Sequence, residues 1–140
     1  MNTLIKKYEG LSLKPYKCAG GYPTIGYGSR FYEDGTEVKM SDQPITKKQA
    51  EDLLNHYVIH NIRPRIADLR LTDYQYEALE SLIYNIGWTA FSKSKCYKAI
   101  KARDWATAIK NWDWYSAGRK PLNGLIKRRA EEIGMFFTEI

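Results

Sequence analysis

The sequence has few cysteines and no long apolar run, and each shortage excludes a class of protein. Two cysteines, Cys18 and Cys96, are too few for the disulfide framework of a small secreted domain, so two free thiols are expected, with a disulfide between them as the alternative. No run of residues has the apolar length that a membrane-spanning helix needs. The amino end, MNTLIKKYEG, lacks the apolar segment and cleavage site of a signal peptide. We therefore expect a protein that is made and folded in a cytoplasm, without stable membrane insertion.

Motifs for metal and nucleotide binding are also missing. His56 and His60 are spaced i, i+4, but no acidic or thiol ligand lies nearby at a zinc-motif spacing. The glycines from Gly20 to Gly28 are not followed by the Lys-Ser/Thr pair of a phosphate loop. We expect no metal and no cofactor. No nucleic-acid-reading motif is present, so a basic nucleic-acid-binding module is the disfavoured rival function.

The composition predicts one domain with its own core and a basic surface. Of the 140 residues, 44% are hydrophobic and 14% are aromatic, which suffices for a single domain. The net charge of +6 attracts polyanions, which could be nucleic acid, an anionic membrane surface or a cell-wall polymer. Charge alone does not choose among these partners.

The first 45 residues predict a small lobe that mixes one helix with a hairpin. Apolar residues at helical spacing predict a short helix, which Gly10 ends directly after Glu9. Two β-like runs follow on either side of the Gly20-Gly21 turn. Gly26 and Gly28 weaken the second run as a strand, so a ligand or another chain segment is expected to approach its backbone closely.

The remainder of the chain predicts helices, beginning with a long helix that joins two lobes. Thr46 and Gln49 form a capping box at its start, and Pro64 kinks or ends it. A second capping box, Thr72 with Gln75, opens the best-specified helix, which ends at glycine 87. The other predicted segments are a helix over 91–102, a helix over 104–112, a loop over 118–121 and a final helix from 124.

Two charged residues are candidates for chemistry. Glu9, at a helix-to-loop corner beside a glycine-rich hairpin, is either a general acid or an ordinary surface carboxylate. Arg129 shares a face of the final helix with apolar residues, so its guanidinium needs an anionic partner. Glu132 and Glu9 are the candidate partners, and Arg128 could serve in place of Arg129.

The segment from Glu9 to Gly28 resembles the catalytic segment of the phage-type lysozymes, the endolysins of glycoside hydrolase family 24. The family spacing E-x8-[D/C]-x5-T matches Glu9, Cys18 and Thr24. Ser29 stands where many members have His. Supporting segments occur in family order and cover nearly the whole chain: ITKKQAEDLL, LTDYQYEALESLIYNIG and GLIKRRAE.

The resemblance implies an α+β, lysozyme-like fold in a single domain. A small mixed lobe would span about 1–45, the connecting helix and a larger helical lobe about 46–140, and a cleft would lie between the lobes. The implied activity is hydrolysis of the β-1,4 bond between N-acetylmuramic acid and N-acetylglucosamine in peptidoglycan, without a cofactor. Such a phage endolysin would be a monomer in the host bacterial cytoplasm and would reach the wall after a separate pore-forming protein breaches the membrane.

The resemblance also implies roles for individual residues. Glu9 matches the general acid that protonates the leaving glycosidic oxygen, and Thr24 matches the threonine that positions the attacking water. Tyr84, Ser94 and Asn111 align with residues that contact sugar in the cleft. Each of these three is equally consistent with helix packing or capping.

Cys18 is the departure from the family pattern, because most members have Asp there. A carboxylate at this position stabilises positive charge on the sugar and helps to activate water. A thiol does so only as thiolate, and an ordinary thiol is mostly protonated at pH 7. Three interpretations follow. In the first, which we favour, Cys18 acts as thiolate base, electrostatic partner or nucleophile. In the second, the protein is an inactive wall-binding relative; in the third, it is a lytic transglycosylase that uses Glu9 alone, because the sugar's own 6-hydroxyl attacks the anomeric carbon.

Overall fold

A computed structural model describes residues 1–117 and 120–138. Its helices and strands are, in chain order, α1 (Thr3–Glu9), β1 (Ser12–Lys17), β2 (Pro23–Gly26), α2 (Lys47–Tyr57), a π-helix (Val58–Ile62), α3 (Arg63–Ile66), a 3-10 helix (Ala67–Leu69), α4 (Asp73–Ile86), α5 (Trp88–Ser92), α6 (Lys95–Lys101), α7 (Trp105–Lys110), β3 (Ser116–Ala117), β4 (Lys120–Pro121) and α8 (Asn123–Phe136). The chain divides into two compact units, unit 1 (Met1–Asn61) and unit 2 (Ile62–Ile140). The α+β fold class is confirmed.

Unit 1 contains the predicted helix and hairpin. Strands β1 and β2 pair antiparallel, with Tyr16 opposite Thr24. Gly26 has a φ of 69°, and a Cβ built there would lie 3.2 Å from the Cβ of Ala50 in α2. The segment expected to approach the Gly26 backbone is therefore α2, which packs on the second strand. One apolar cluster in the core of this unit consists of Ile25, Val38 and Leu53, with Tyr32 and Ile45 packed against it.

The predicted long helix is a helical run over 47–69 whose hydrogen-bonding type changes three times. Thr46 and Gln49 form the predicted capping box at its start. The run becomes a π-helix at Val58 and returns to α-helix at Arg63. Pro64 lies in the first turn of α3, where its missing N–H breaks no helical bond.

Unit 2 is built from helices and the short β3–β4 pair in the part of it that the structure describes. Helix α4 begins at the predicted Thr72–Gln75 capping box and packs against α8. Helix α8 buries one face, whereas α4 is buried on all sides from Ala78 to Ile83. The fully or nearly fully buried apolar residues of this unit include Ala78, Leu79, Leu82, Ile83, Phe91, Ile100, Trp112 and Phe136.

Several predicted boundaries were wrong. The helix expected over 91–102 is interrupted, because Ser94 accepts the N–H of Tyr97 and starts α6 as its N-cap. The helix that Asp104 caps ends at Lys110 rather than at 112. Residues 120 and 121 of the predicted loop form β4, whereas 118 and 119 lie outside the described residues. The final helix begins one residue earlier than expected, at Asn123.

Candidate active site

Glu9 is the last residue of α1 and lies at the rim of a shallow depression. Gly10, with a φ of 70°, turns the chain away from the helix, and its N–H bonds the carbonyl of Lys6. The depression has a volume of about 260 Å³, and its walls are Glu9, Gly10, Leu11, Ser12 and Tyr16. The carboxylate is half-buried. It is therefore placed at a surface from which it could exchange a proton with a bound molecule.

A hydrogen bond between a buried and a half-buried asparagine connects the start of α1 to α2 within unit 1. Asn2, immediately before the helix, is 2% exposed, and its Nδ2 donates to Oδ1 of Asn55 in α2 at 2.5 Å. Leu4 and Ile5 bury the inner face of α1. Apolar burial and the hydrogen bond between Asn2 and Asn55 thus help to fix the position of Glu9.

Cys18 directly follows β1, in the turn of the hairpin. Its N–H donates to the carbonyl of Tyr22 at 3.0 Å, and its carbonyl accepts the N–H of Gly21 at 2.8 Å. The pKa of the Cys18 thiol is lowered, chiefly by a hydrogen bond from the Tyr22 backbone and next by one from the Thr24 hydroxyl. Burial raises the pKa. The backbone of Gly20 and the positive charge of Arg30 lower it further. The turn therefore surrounds the sulfur with donors that favour thiolate.

Thr24 is buried in β2 and reaches two acceptors with one hydroxyl hydrogen. Its Oγ1 donates to the carbonyl of Tyr22 at 2.9 Å. The same hydroxyl is close enough to Cys18 to lower the pKa of its thiol. Because a hydroxyl has one hydrogen and two lone pairs, Thr24 donates to one of these acceptors at a time and keeps acceptor capacity for a water molecule.

Tyr16 connects Glu9 electrostatically with Cys18, and sequence reasoning gave it no role. Its pKa is raised first by burial, then by the charges of Glu9 and Cys18. The charges of both groups thus act on the phenol, which also lines the depression beside Glu9. The available signal was its position near the end of β1, two residues before Cys18 in the sequence.

Tyr22 and Arg30 form a second contact that the sequence did not indicate. The guanidinium carbon of Arg30 lies 3.7 Å from the centroid of the Tyr22 ring and 5.5 Å from that of Phe31. Ser29, next to Arg30, is 7% exposed, and its hydroxyl has no hydrogen-bond partner among the described residues. The neutral Ser29 side chain supplies no charge to the site.

Comparison with known proteins identifies the family. The family model described as phage lysozyme matches residues 6–132. The chain belongs to the phage lysozyme family. It is accordingly a muramidase-family enzyme, a phage endolysin that hydrolyses peptidoglycan for host lysis.

Three relatives illustrate the similarity. The endolysin of Acyrthosiphon pisum secondary endosymbiont phage 1 is 38% identical, over 96% of this chain and 92% of the relative. A crystal structure of a P22 lysozyme mutant superimposes with a TM-score of 0.83 at 33% identity, over 98% of this chain and 94% of that one. The endolysin of Bacillus phage PZA is 36% identical over 96% of this chain, but the chain spans only 52% of its length.

The three residues that align with sugar contacts of phage lysozymes lie in unit 2. Tyr84 is half-buried on α4. Ser94 caps α6: its Oγ accepts the N–H of Tyr97 at 3.1 Å and donates to the carbonyl of Phe91 at 2.6 Å. Asn111, just after α7, donates from Nδ2 to the Thr107 carbonyl at 2.9 Å. Ser94 and Asn111 therefore have local roles at helix ends, and their contact with sugar stays a prediction.

The two arginines of α8 belong to a buried ionic network in unit 2. Arg129 and Glu132 are both completely buried, with Nε and Oε1 2.7 Å apart. Arg128 lies 3.5 Å from Glu132 Oε2, and its guanidinium also donates to the carbonyl of Ser81 at 3.1 Å. The indole of Trp112 donates to Glu132 Oε1 at 3.2 Å. Of the two predicted carboxylate partners, Glu132 is thus one that Arg129 contacts.

The two histidines and the two cysteines form no metal site and no disulfide among the residues that the structure describes. The rings of His56 and His60 touch, with centroids 4.1 Å apart, but no group of three His, Cys, Asp or Glu side chains suited to a metal occurs in the part of the chain that the structure describes. Both cysteines are free thiols. Cys96 is fully buried, and burial first, then the charges of Asp113 and Glu132, raise the pKa of its thiol to about 12. Over the described residues, no helix is long and apolar enough to cross a membrane.

Proposed function

We propose that Glu9, Cys18 and Thr24 carry out the hydrolysis of the β-1,4 bond between N-acetylmuramic acid and N-acetylglucosamine. The observation that carries the proposal is the set of hydrogen-bond donors around the Cys18 sulfur, in a hairpin that begins three residues after Glu9. The charges of Glu9 and Cys18 both raise the pKa of Tyr16, and this shared effect supports the proposal that the two groups act together.

Glu9 acts as the general acid. Its protonated carboxyl donates to the glycosidic oxygen as the bond to the anomeric carbon breaks, so the leaving sugar departs as a neutral alcohol. Its place at the open rim of the depression gives a substrate direct access to the carboxyl.

Cys18 replaces the carboxylate that most phage lysozymes have at this position. As a thiolate it stabilises the positive charge that develops on the sugar and takes a proton from the attacking water. Thr24 accepts a hydrogen bond from that water while donating its own hydrogen to Tyr22. Water then bonds to the anomeric carbon, and solvent returns the thiol's proton to Glu9.

The wider context follows from the same proposal. Tyr84 stacks on a sugar ring, and Ser94 and Asn111 bond its polar groups. The chain acts as one lysozyme-like domain and as a monomer. We infer that it accumulates in the host cytoplasm and that its net charge of +6 holds it to the anionic wall once the membrane is breached.

Mass spectrometry of the products released from peptidoglycan tests the proposed function. Purified protein should release fragments with reducing muramic ends, since water is the nucleophile. Products lighter by one water, with anhydro ends, would assign a lytic transglycosylase that needs Glu9 alone. No release above that of heat-denatured protein would instead indicate a wall-binding relative and overturn the proposal.

A further inference from the structure

The contacts of Cys18 and Thr24 converge on Tyr22. The carbonyl of Tyr22 accepts the N–H of Cys18 at 3.0 Å and the hydroxyl of Thr24 at 2.9 Å. The backbone of Tyr22 also donates to the Cys18 sulfur. This one residue therefore contacts both Cys18 and Thr24 and supplies one of the donors around the sulfur.

The core of unit 1 does not hold the Tyr22 side chain, which is 50% exposed. Its ring contacts Gly20, where an added Cβ would lie 3.2 Å from two ring carbons. It also contacts the guanidinium of Arg30 at 3.7 Å, a distance at which a cation is attracted to an aromatic face. These two contacts fix the ring where core packing does not.

Arg30 is itself anchored to the core through its backbone. Its carbonyl accepts the N–H of Val38 at 2.9 Å, and Val38 packs with Ile25 and Leu53 in the core of unit 1. The backbone of Arg30 is therefore fixed, while its charged end extends over the hairpin turn. Loss of the side chain would remove the contact with Tyr22 without opening the core.

We propose that Arg30 is a positioning residue for Cys18, which acts through Tyr22. By stacking on the Tyr22 ring, Arg30 holds the turn in the geometry that directs donors to the sulfur, and it places a positive charge beside that sulfur. The inference rests on the proposed role of Cys18 as thiolate. It assigns to Arg30 a part in catalysis that does not require contact with substrate.

The neighbouring elements carry other titratable groups. The charges of Glu9, at the end of α1, and of Cys18 both act on Tyr16, from β1. Glu37 lines a cavity of about 130 Å³ together with Arg30. Because arginine stays charged throughout the accessible pH range, the titration seen in the test belongs to the thiol.

The rate of Cys18 alkylation by iodoacetamide, measured against pH, reports the thiolate directly. All variants carry Cys96→Ala, so that one thiol remains. Arg30→Gln should raise the midpoint of the alkylation profile and lower the rate at pH 7 by about threefold, the effect expected of losing one partly screened charge and its positioning contact. Lys47→Gln, which removes an exposed positive charge at the start of α2, should leave the profile unchanged.

Variants of Tyr22 separate positioning from charge. Tyr22→Ala removes the stacking platform and should raise the midpoint as Arg30→Gln does, whereas Tyr22→Phe keeps the ring and should behave as the parent. Arg30→Lys keeps the charge but loses the planar stack, so its midpoint should fall between those of the parent and Arg30→Gln. An alkylation profile that Arg30→Gln and Tyr22→Ala both leave unchanged would overturn the proposal.

Activity in two backgrounds distinguishes positioning from substrate binding. Arg30→Gln should slow peptidoglycan hydrolysis near pH 7 when residue 18 is cysteine, with the loss recovering at higher pH. With Cys18→Asp it should have little effect, because an aspartate is ionised without help. An equal loss in both backgrounds with an unchanged alkylation profile would assign Arg30 to substrate contact and refute the inference. Alkylation needs no turnover, so the inference stays testable if the proposed hydrolysis fails.

Discussion

The two units hold their charged groups in opposite ways. In unit 1, Glu9 is half-buried beside a shallow depression, and Cys18 is held mainly by backbone donors of a turn. In unit 2, Glu132 is completely buried and is bonded by Arg128, Arg129 and Trp112.

The difference separates a carboxylate that can react from one that stabilises the fold. A general acid must exchange its proton with substrate and solvent, so it needs an open side. A buried carboxylate with several charged and polar partners has its hydrogen-bonding capacity occupied, so it does not exchange a proton with substrate or solvent. Both carboxylates belong to a helix, and their surroundings rather than their local sequence distinguish them.

The largest expected effect is on activity, from Glu9→Gln. Loss of a general acid should reduce peptidoglycan hydrolysis by roughly 10²–10⁴-fold. The melting temperature should stay near that of the parent, because Glu9 is not part of the core. Glu33→Gln, an exposed carboxylate of the same unit, is the control and should keep full activity. Hydrolysis at the parental rate in Glu9→Gln would remove Glu9 from the mechanism.

Glu132→Gln should have the opposite signature, with a large loss of stability. The substitution leaves Arg128 and Arg129 buried without their anion, which costs about 3–5 kcal/mol in the free energy of unfolding. Urea denaturation, monitored by circular dichroism, measures the free energy of unfolding. Glu51→Gln, a half-buried carboxylate on α2, should change stability by no more than about 0.5 kcal/mol. Equal stability of the two variants would show that the buried network contributes little.

Gly26→Ala probes the packing that supports the hairpin. The φ of 69° is unfavourable for alanine, and the new methyl group would meet Ala50 of α2 at 3.2 Å. We expect a loss of about 1–2 kcal/mol from the backbone conformation, with the contact adding to it. Gly21→Ala, also at positive φ but with no atom within 4 Å of the added Cβ, should lose less. The outcome that contradicts this packing is a larger loss at Gly21.

The smallest expected effect concerns Asp42 in acid. Hydrogen bonds from the Lys39 backbone and the Tyr32 hydroxyl lower the pKa of Asp42. Because the pKa in the folded state lies below its unfolded value, near 3.9, the stabilisation is complete above that pH and is lost as pH falls through the folded pKa. The fall in melting temperature between pH 6 and pH 3 should be smaller in Asp42→Asn than in the parent. Identical falls would show that Asp42 does not contribute.

The sequence predicted the elements whose signals are local. The capping boxes at Thr46 and Thr72 and the hairpin around Gly20 each need only a few neighbouring residues, and all three are present. The break at Ser94 was missed because apolar spacing continues across it, although its N-cap preference was visible. The π-helix from Val58 has no local signature of comparable strength.

The candidate site was predicted by motif rather than by physics. Glu9, Cys18 and Thr24 follow a spacing, and a spacing does not reveal which donors reach the sulfur. Tyr22 and Arg30 were missed because their stacking depends on how residues after β2 fold back toward the turn. Contacts of that kind arise from tertiary structure and leave no periodicity in the sequence.

Replacement of Cys18 tests the central claim most directly. Cys18→Ser keeps the size and polarity of the side chain but cannot ionise near neutral pH, whereas Cys18→Asp supplies an anion. With folding verified by circular dichroism, the rate of peptidoglycan hydrolysis at pH 7 should fall at least about tenfold in Cys18→Ser and be largely retained in Cys18→Asp. Hydrolysis by Cys18→Ser at the parental rate would contradict the claim that a thiolate at this position takes part in the reaction.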